Sequence, residues 1–170
     1  MKKIVLFPIV LLAIACSNTK SASTPKETAN MKTANTCPEN ANCSFEIIQG
    51  QSLNIKTDGI GKIYYELEDN PNTAVYLYKY EEKTADKTLQ DAGYREEIVF
   101  EIDKNLSTFS ISGKELRSVK MLFGVFCYCK GKAGYYTVNN GSINKTESDL
   151  TIAIDPIVDN QKITKIKIKK

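Results

Sequence analysis

Residues 97 to 102, Glu97-Ile98-Val99-Phe100-Glu101-Ile102, interleave acidic and apolar side chains. Successive side chains of a strand point to opposite faces, so Ile98, Phe100 and Ile102 share one side and Glu97 and Glu101 the other, the mark of a half-buried strand. Leu150, Ile152 and Ile154 alternate in the same way. Between Thr73 and Tyr80 both sides are semi-apolar, with Tyr76, Tyr78 and Tyr80 on one and Val75 and Leu77 on the other. Met121 to Cys129 carries no charge and reads as a central strand covered on both faces.

Outward from these segments, turn-forming residues recur at Gln49-Gly50, Asp58-Gly59, Asp69-Asn70-Pro71-Asn72, Asp103-Lys104-Asn105, Ser112-Gly113, Gly131 and Asn139-Asn140-Gly141. Short β-rich segments between such turns predict an all-β fold, a single antiparallel sandwich or small barrel of roughly 8 to 10 strands. Asn140-Gly141, flanked by Tyr135 to Val138 and Ser142 to Asn144, predicts a type I′ hairpin. Residues 83–92 are polar without a period and read as a long hairpin loop. In the last segment Ile166 and Ile168 alternate with Lys165, Lys167 and Lys169, which predicts an edge strand guarded by positive charge. A lysine row resting on anionic lipid headgroups is the alternative.

The chain has 170 residues, 42% hydrophobic and 25% charged, a composition that suits one globular domain. It contains no His and no Trp. Without His there are no serine triads, Cys–His pairs, His-built zinc sites or imidazole switches near neutral pH.

Met1-Lys2-Lys3 precedes an apolar run from Ile4 to Ala15, broken at Pro8, which has the length of a secretory signal and is too short to span a bilayer. The run ends Leu12-Ala13-Ile14-Ala15-Cys16 and resembles a bacterial lipobox, in which small residues precede a Cys that takes diacylglycerol and becomes the mature N-terminus. The expected organisation is a lipoprotein signal peptide over 1–15, a lipidated Cys16 with a flexible tether over 16–36, and a β domain over 37–170. From Ser17 to Thr36 the one large apolar side chain is Met31, too little to order the segment by burial. The lipobox implies a membrane partner through the lipid on Cys16 and a lipid-anchored cell-envelope location. Ser17, where an Asp would favour inner-membrane retention, leans toward the outer membrane. Without Lys2 and Lys3, 21 basic residues face 20 acidic ones, so net charge gives no case for nucleic acid.

Four further cysteines stand in two pairs, Cys37 and Cys43 in Cys-Pro-Glu-Asn-Ala-Asn-Cys, and Cys127 and Cys129 in Phe-Cys-Tyr-Cys-Lys. An exported, even-numbered set points to disulfides. On an extended strand Cys127 and Cys129 would have Cα atoms about 6.6 Å apart and parallel side chains, which disfavours a bond between them unless a bulge intervenes. Pro38, Asn40 and Asn42 favour a bend in the first pair's segment. Both of its cysteines would then reach Cys127 and Cys129, closing a loop of about 90 residues worth roughly 4.6 kcal/mol. An all-sulfur zinc or Cu(I) site is the alternative, although C-x5-C and C-x-C differ from the paired C-x2-C knuckles of a zinc ribbon. A redox role for Cys-Tyr-Cys is a third, without the helix N-terminus that lowers a thiol pKa. No cofactor and no resident metal are expected.

Carboxylates gather at Glu66, Glu68 and Asp69 and at Glu96, Glu97 and Glu101, where alternation turns most of them to water and not across a cleft as a glycosidase requires. Tyr76, Tyr78, Tyr80, Tyr135 and Tyr136 are candidates for an aromatic ligand face, although tyrosine is equally a preferred strand residue.

The lipobox and tether, the Cys37-Pro38 start running into Ser44-Phe45-Glu46-Ile47, and the stretch from Leu122 through Cys127-Tyr128-Cys129-Lys130 to Val138 together resemble a group of Bacteroidetes-type bacterial lipoproteins with no assigned activity. The resemblance implies an envelope location and brings no active site. A small lipid-anchored β-barrel is also similar in architecture to periplasmic lysozyme-inhibitor lipoproteins, whose inhibitory motif finds no match here. The expected function is a non-enzymatic structural or binding role on a lipid anchor. An enzyme inhibitor or small-ligand binder, and a thiolate metal or redox protein, are the alternatives.

Overall fold

A computed structural model describes residues 28–30, 37–84 and 93–169. The expected signal peptide, Cys16, most of the expected tether and most of the expected loop at 83–92 lie outside the described residues. Within them are β1 (Thr28–Asn30), β2 (Ala41–Thr57), β3 (Ile63–Glu82), β4 (Arg95–Asp103), β5 (Phe109–Ser112), a 3-10 helix (Gly113–Arg117), β6 (Leu122–Phe126), β7 (Gly134–Thr137), β8 (Gly141–Lys145), β9 (Asp149–Ile154) and β10 (Lys165–Lys169). All pairings are antiparallel, in one sheet ordered β1-β2-β3-β4-β6-β7 and a second ordered β10-β9-β8-β5. The fold is all-β, and it combines both expected architectures.

The sandwich forms because the alternating strands each offer one apolar face. Phe45, Tyr76, Tyr78, Tyr80, Ile98, Phe100, Ile102, Phe123 and Val125 of the first sheet pack with Ile143, Leu150, Ile152, Ile154, Ile166 and Ile168 of the second. The barrel forms because the β2–β3 hairpin bends. Gln49 pairs with Ala74 but Gln51 with Asp69, so Gly50 stands opposite the stretch Asn70 to Thr73. Gly50 has φ +68°, a left-handed conformation that suits a residue without Cβ. The side-chain oxygen of Asn70 accepts the Asn72 N–H at 3.1 Å, and the Thr73 hydroxyl donates to the Gln51 carbonyl at 2.7 Å, fixing the kink. Beyond it the distal hairpin reverses at Asp58 to Lys62, and Ile63 pairs with Tyr135 of β7. That pairing closes β3, β4, β6 and β7 into a small four-strand ring. Its interior holds Leu53, Val75, Leu77, Val99 and Leu122.

Several expectations change. The turn signals at Gln49-Gly50 and Asp69 to Asn72 are the two sides of one bulge and not separate chain reversals. The central strand is shorter than Met121 to Cys129: β6 ends at Phe126 and the chain bends at Cys127-Tyr128. Asn140-Gly141 makes no hairpin, because β7 and β8 belong to different sheets. Gly141 is required there for space, since a Cβ would come within 2.3 Å of the Ala153 carbonyl oxygen on β9. Inside the segment read as tether, Thr28 to Asn30 pair with Ile48 to Glu46 of β2. The lysine-rich β10 is an edge strand with Ile166 and Ile168 buried and its lysines exposed.

Candidate functional site

At one end of the sandwich, where the β4–β5 and β8–β9 turns meet, the two sheets part to leave a cleft of about 240 Å³. Phe45 and Ile47 of β2, Tyr76 of β3 and Leu150 of β9 line it, with Leu106 from the β4–β5 turn. Lys104, Lys145, Glu147 and Asp149 also border it. The aromatic wall is braced: the Tyr76 ring stacks on Phe100 with centroids 5.1 Å apart and meets Phe109 edge-on at 6.4 Å. Burial pushes the Tyr76 phenol above its ordinary pKa, so the group stays neutral at physiological pH. Its hydroxyl has no hydrogen-bond partner among the described residues. The Lys145 ammonium donates to the Ser107 carbonyl, tying the two rim turns together. Chemically this is an apolar slot with a polar rim, open to solvent. Periodicity marks Phe45, Ile47, Tyr76 and Leu150 as apolar strand positions but does not show that these buried side chains line a cleft between two turns at one end.

The carboxylates expected to face water do the opposite on β4. Glu96 has no solvent exposure and lies on the sandwich side, where it accepts the Lys162 and Ile163 N–H groups at 2.7 and 2.6 Å and the Tyr94 hydroxyl. Burial first, then that hydrogen bond to Glu96, raises the Tyr94 phenol far above its ordinary pKa. Glu97 and Glu101 face the barrel. Glu97 accepts the Tyr135 hydroxyl at 2.7 Å, and Arg95 Nε stands 3.1 Å from it in an ion pair without hydrogen-bond geometry. Burial and then the bond to Glu97 push the Tyr135 phenol far up. Glu101 accepts the Leu53 N–H at 2.6 Å and the Ser52 hydroxyl at 2.8 Å, with the Lys120 ammonium 2.9 Å away. Burial drives the Glu101 carboxyl up, but the Leu53 N–H, Lys120 and Ser52 outweigh it and hold the pKa below the usual carboxylate value. These three glutamates are committed to anchoring backbone and tyrosines. Glu66 pairs with Lys56 and Glu68 with Asn54 on the distal hairpin.

The tyrosines do not make one face. Tyr76, Tyr78 and Tyr80 are buried in the sandwich core. Tyr135 points into the barrel and Tyr136 packs on the sandwich side, its hydroxyl donating to the Lys132 carbonyl at 2.8 Å. Among the five, only Tyr76 lines the cleft.

The sulfurs pair locally, Cys37 with Cys43 and Cys127 with Cys129, and not across the domain. Sheet order gives the reason. Cys43 pairs with Tyr80, Tyr80 with Glu96 and Glu96 with Val125, so β2 lies three strands from β6. At about 4.8 Å per strand that is roughly 14 Å, twice the reach of a disulfide. The expected bend at Pro38 does occur, with the Ala41 N–H donating to the Pro38 carbonyl at 3.0 Å, but it brings Cys37 to Cys43 with Cα atoms 5.7 Å apart. Past the end of β6 the extended-strand spacing no longer applies, and the bend brings the Cα atoms of Cys127 and Cys129 to 5.2 Å. The long-loop stabilisation therefore vanishes. With sequence separations of 6 and 2, the chain-entropy model gives about 2 and 1.5 kcal/mol. Among the described residues no cluster of three or more Cys, His, Asp or Glu is placed to hold a metal, so the four sulfurs do not form an all-thiolate site.

No family model, curated protein or solved structure matches the chain.

Proposed function

We propose that this is a lipid-anchored, non-enzymatic binding protein of the cell envelope that takes a small amphipathic ligand into the cleft at the end of the sandwich. The observation that carries the reading is the cleft's construction. Phe45, Ile47, Tyr76 and Leu150 give it an apolar wall continuous with the core, and lysine and carboxylate side chains stand at the rim. Such a slot suits a ligand with an apolar body and a polar end. At about 240 Å³ it admits a ring system or a short acyl segment and not a large ligand. The membrane anchor rests on the lipobox at Cys16, and the commitment of Glu96, Glu97 and Glu101 to structural hydrogen bonds supports a binding role over acid–base chemistry.

The test uses the mature chain carrying Cys16→Ser, titrated with anilinonaphthalene sulfonate, a probe with an apolar body and an anionic end. One saturable site per chain is expected, weakened at least tenfold by Leu106→Asp, which places a carboxylate at the mouth on a half-exposed side chain. Absence of saturable binding, or binding indifferent to Leu106→Asp, removes the reading. Independently, Cys16→Ser should abolish incorporation of labelled palmitate and move the protein from the membrane to the soluble fraction.

A further inference from the structure

We infer that the Tyr76 hydroxyl is the polar anchor inside the cleft, selecting ligands whose apolar body carries a neutral hydrogen-bond acceptor such as a ketone, ester or amide oxygen. The inference rests on the cleft being a ligand site, and it adds which functional group that site reads. Tyr76 is 6% exposed, and a phenol so far from water ordinarily has a hydrogen-bond partner. Elsewhere in this fold that rule holds: Tyr94 donates to Glu96, Tyr135 to Glu97 and Tyr136 to the Lys132 carbonyl. The Tyr76 hydroxyl has no partner among the described residues. Hydrocarbon surrounds its ring, with Ile47 of β2 and Phe100 of β4 in register on either side and Phe45 and Phe109 beyond. Yet the oxygen is not sealed. Among the described residues the one side-chain nitrogen or oxygen both shut off from solvent and lacking a partner is Arg95 Nε. The Tyr76 oxygen therefore keeps contact with solvent, and the open space that Tyr76 borders is the cleft.

The surroundings decide what the hydroxyl can bind. Stacking on Phe100 and the edge contact with Phe109 hold the ring plane, so the donor is in place before a ligand arrives. Burial keeps the phenol protonated, with its O–H available to an acceptor. The charged groups, Lys104, Lys145, Glu147 and Asp149, lie on the two turns and the adjoining strand ends. A charged group pushed in against Ile47 and Phe100 would give up its water for a single neutral donor, a net loss. A neutral oxygen exchanges one hydrogen bond to water for one to Tyr76 and loses little on entry. An analogue without that oxygen leaves the hydroxyl unpaired, which is how a polar group in an apolar site discriminates between ligands. The ligand so described has a charged end for the rim and a neutral acceptor on its apolar body.

The test titrates the mature chain carrying Cys16→Ser, followed by NMR, with two probes that share a naphthalene body and a sulfonate end. One bears an acetyl group at the far end and the other an ethyl group, so they differ by one carbonyl oxygen. Tyr76→Phe should weaken the acetyl probe about fivefold, the worth of one net hydrogen bond, and leave the ethyl probe within about twofold. Equal change in both probes overturns the inference. In a second arm, Tyr76→Phe should leave the urea midpoint unchanged or raised, because the hydroxyl has no internal bond to lose. A lowered midpoint would mean that the hydroxyl is engaged within the protein, and overturns the inference as well. If neither probe shifts the resonances of Ile47 and Leu150 in the parent chain, the cleft reading fails and takes this inference with it. If both bind and Tyr76→Phe treats them alike, the cleft stands and the selection by Tyr76 alone falls.

Discussion

Between the two sheets, Ile98 and Phe100 of β4 lie in one cluster with Ile143, Ile152, Ile166 and Ile168, while on the other face of the same strand Val99 shares its enclosure with Glu97 and Glu101. Hydrocarbon meets hydrocarbon on the sandwich side at Ile98, Phe100 and Ile102. On the barrel side the Leu and Val interior is joined by charge, because bending the distal hairpin leaves Leu53 without a ladder neighbour on its outer side among the described residues: β1 pairs with Glu46, Ile47 and Ile48. The Leu53 N–H then needs an acceptor, and Glu101 supplies one with Lys120 as counter-charge. A buried strand can therefore carry charge where its far side meets unpaired backbone, and hydrocarbon where it meets another sheet. Glu96 applies the same rule at the margin of the sandwich, where the chain leading to β10 presents two N–H groups.

The largest break in this comparison should come from the hydrocarbon side. Phe100→Ala removes a fully buried ring stacked on Tyr76 and should cost about 3 to 5 kcal/mol, read as a lower urea midpoint with little change in slope. Next, Glu96→Ala leaves the Lys162 and Ile163 N–H groups without their acceptor, at a cost of about 3 kcal/mol by urea unfolding. An unchanged midpoint would mean that water replaces the carboxylate and that the margin of the sandwich is open.

Glu101→Gln sharpens the contrast from the barrel side. It keeps the shape but loses the charge, and should cost about 1 to 2 kcal/mol, discounted because Lys120 is partly exposed. Because folding holds the Glu101 pKa below its ordinary value of 4.5, its contribution is present above that pH and is lost as pH falls through the lower folded value. Wild type should therefore lose stability below pH 4.5 more steeply than Glu101→Gln. Parallel pH profiles would contradict the assignment. Of comparable size, Cys43→Ser should cost about 2 kcal/mol in the chain-entropy model, far less than a bridge across the domain would. Lys56→Ala, on the exposed face of the distal hairpin, should leave the melting temperature unchanged.

Much of the fold was legible because strand alternation is local. Tyr76 and Val75 fall on opposite faces as the pattern requires, Asp58 to Lys62 is a true turn, and β10 is a lysine-guarded edge. Glu97 and Glu101 misled for the same reason. Alternation separates two faces but does not reveal that the second is roofed by the strand's own sheet. The cleft was hidden too, since its walls come from β2, β3 and β9 and its mouth from two turns distant in sequence.

From the amino-acid sequence alone followed the all-β class, the faces of the principal strands, the turn at Asp58 to Lys62 and the resemblance of Cys16 and its neighbours to a lipid-attachment signal, each set by residues within a few positions of one another. Tertiary structure alone decided that Gly50 bends a hairpin into a barrel, that Gly141 carries the chain between sheets, and that the sulfurs bond to near neighbours. Those outcomes depend on which strands lie side by side. Pairing order is a property of the whole chain, because backbone hydrogen bonds are satisfied by whichever strand packing brings alongside.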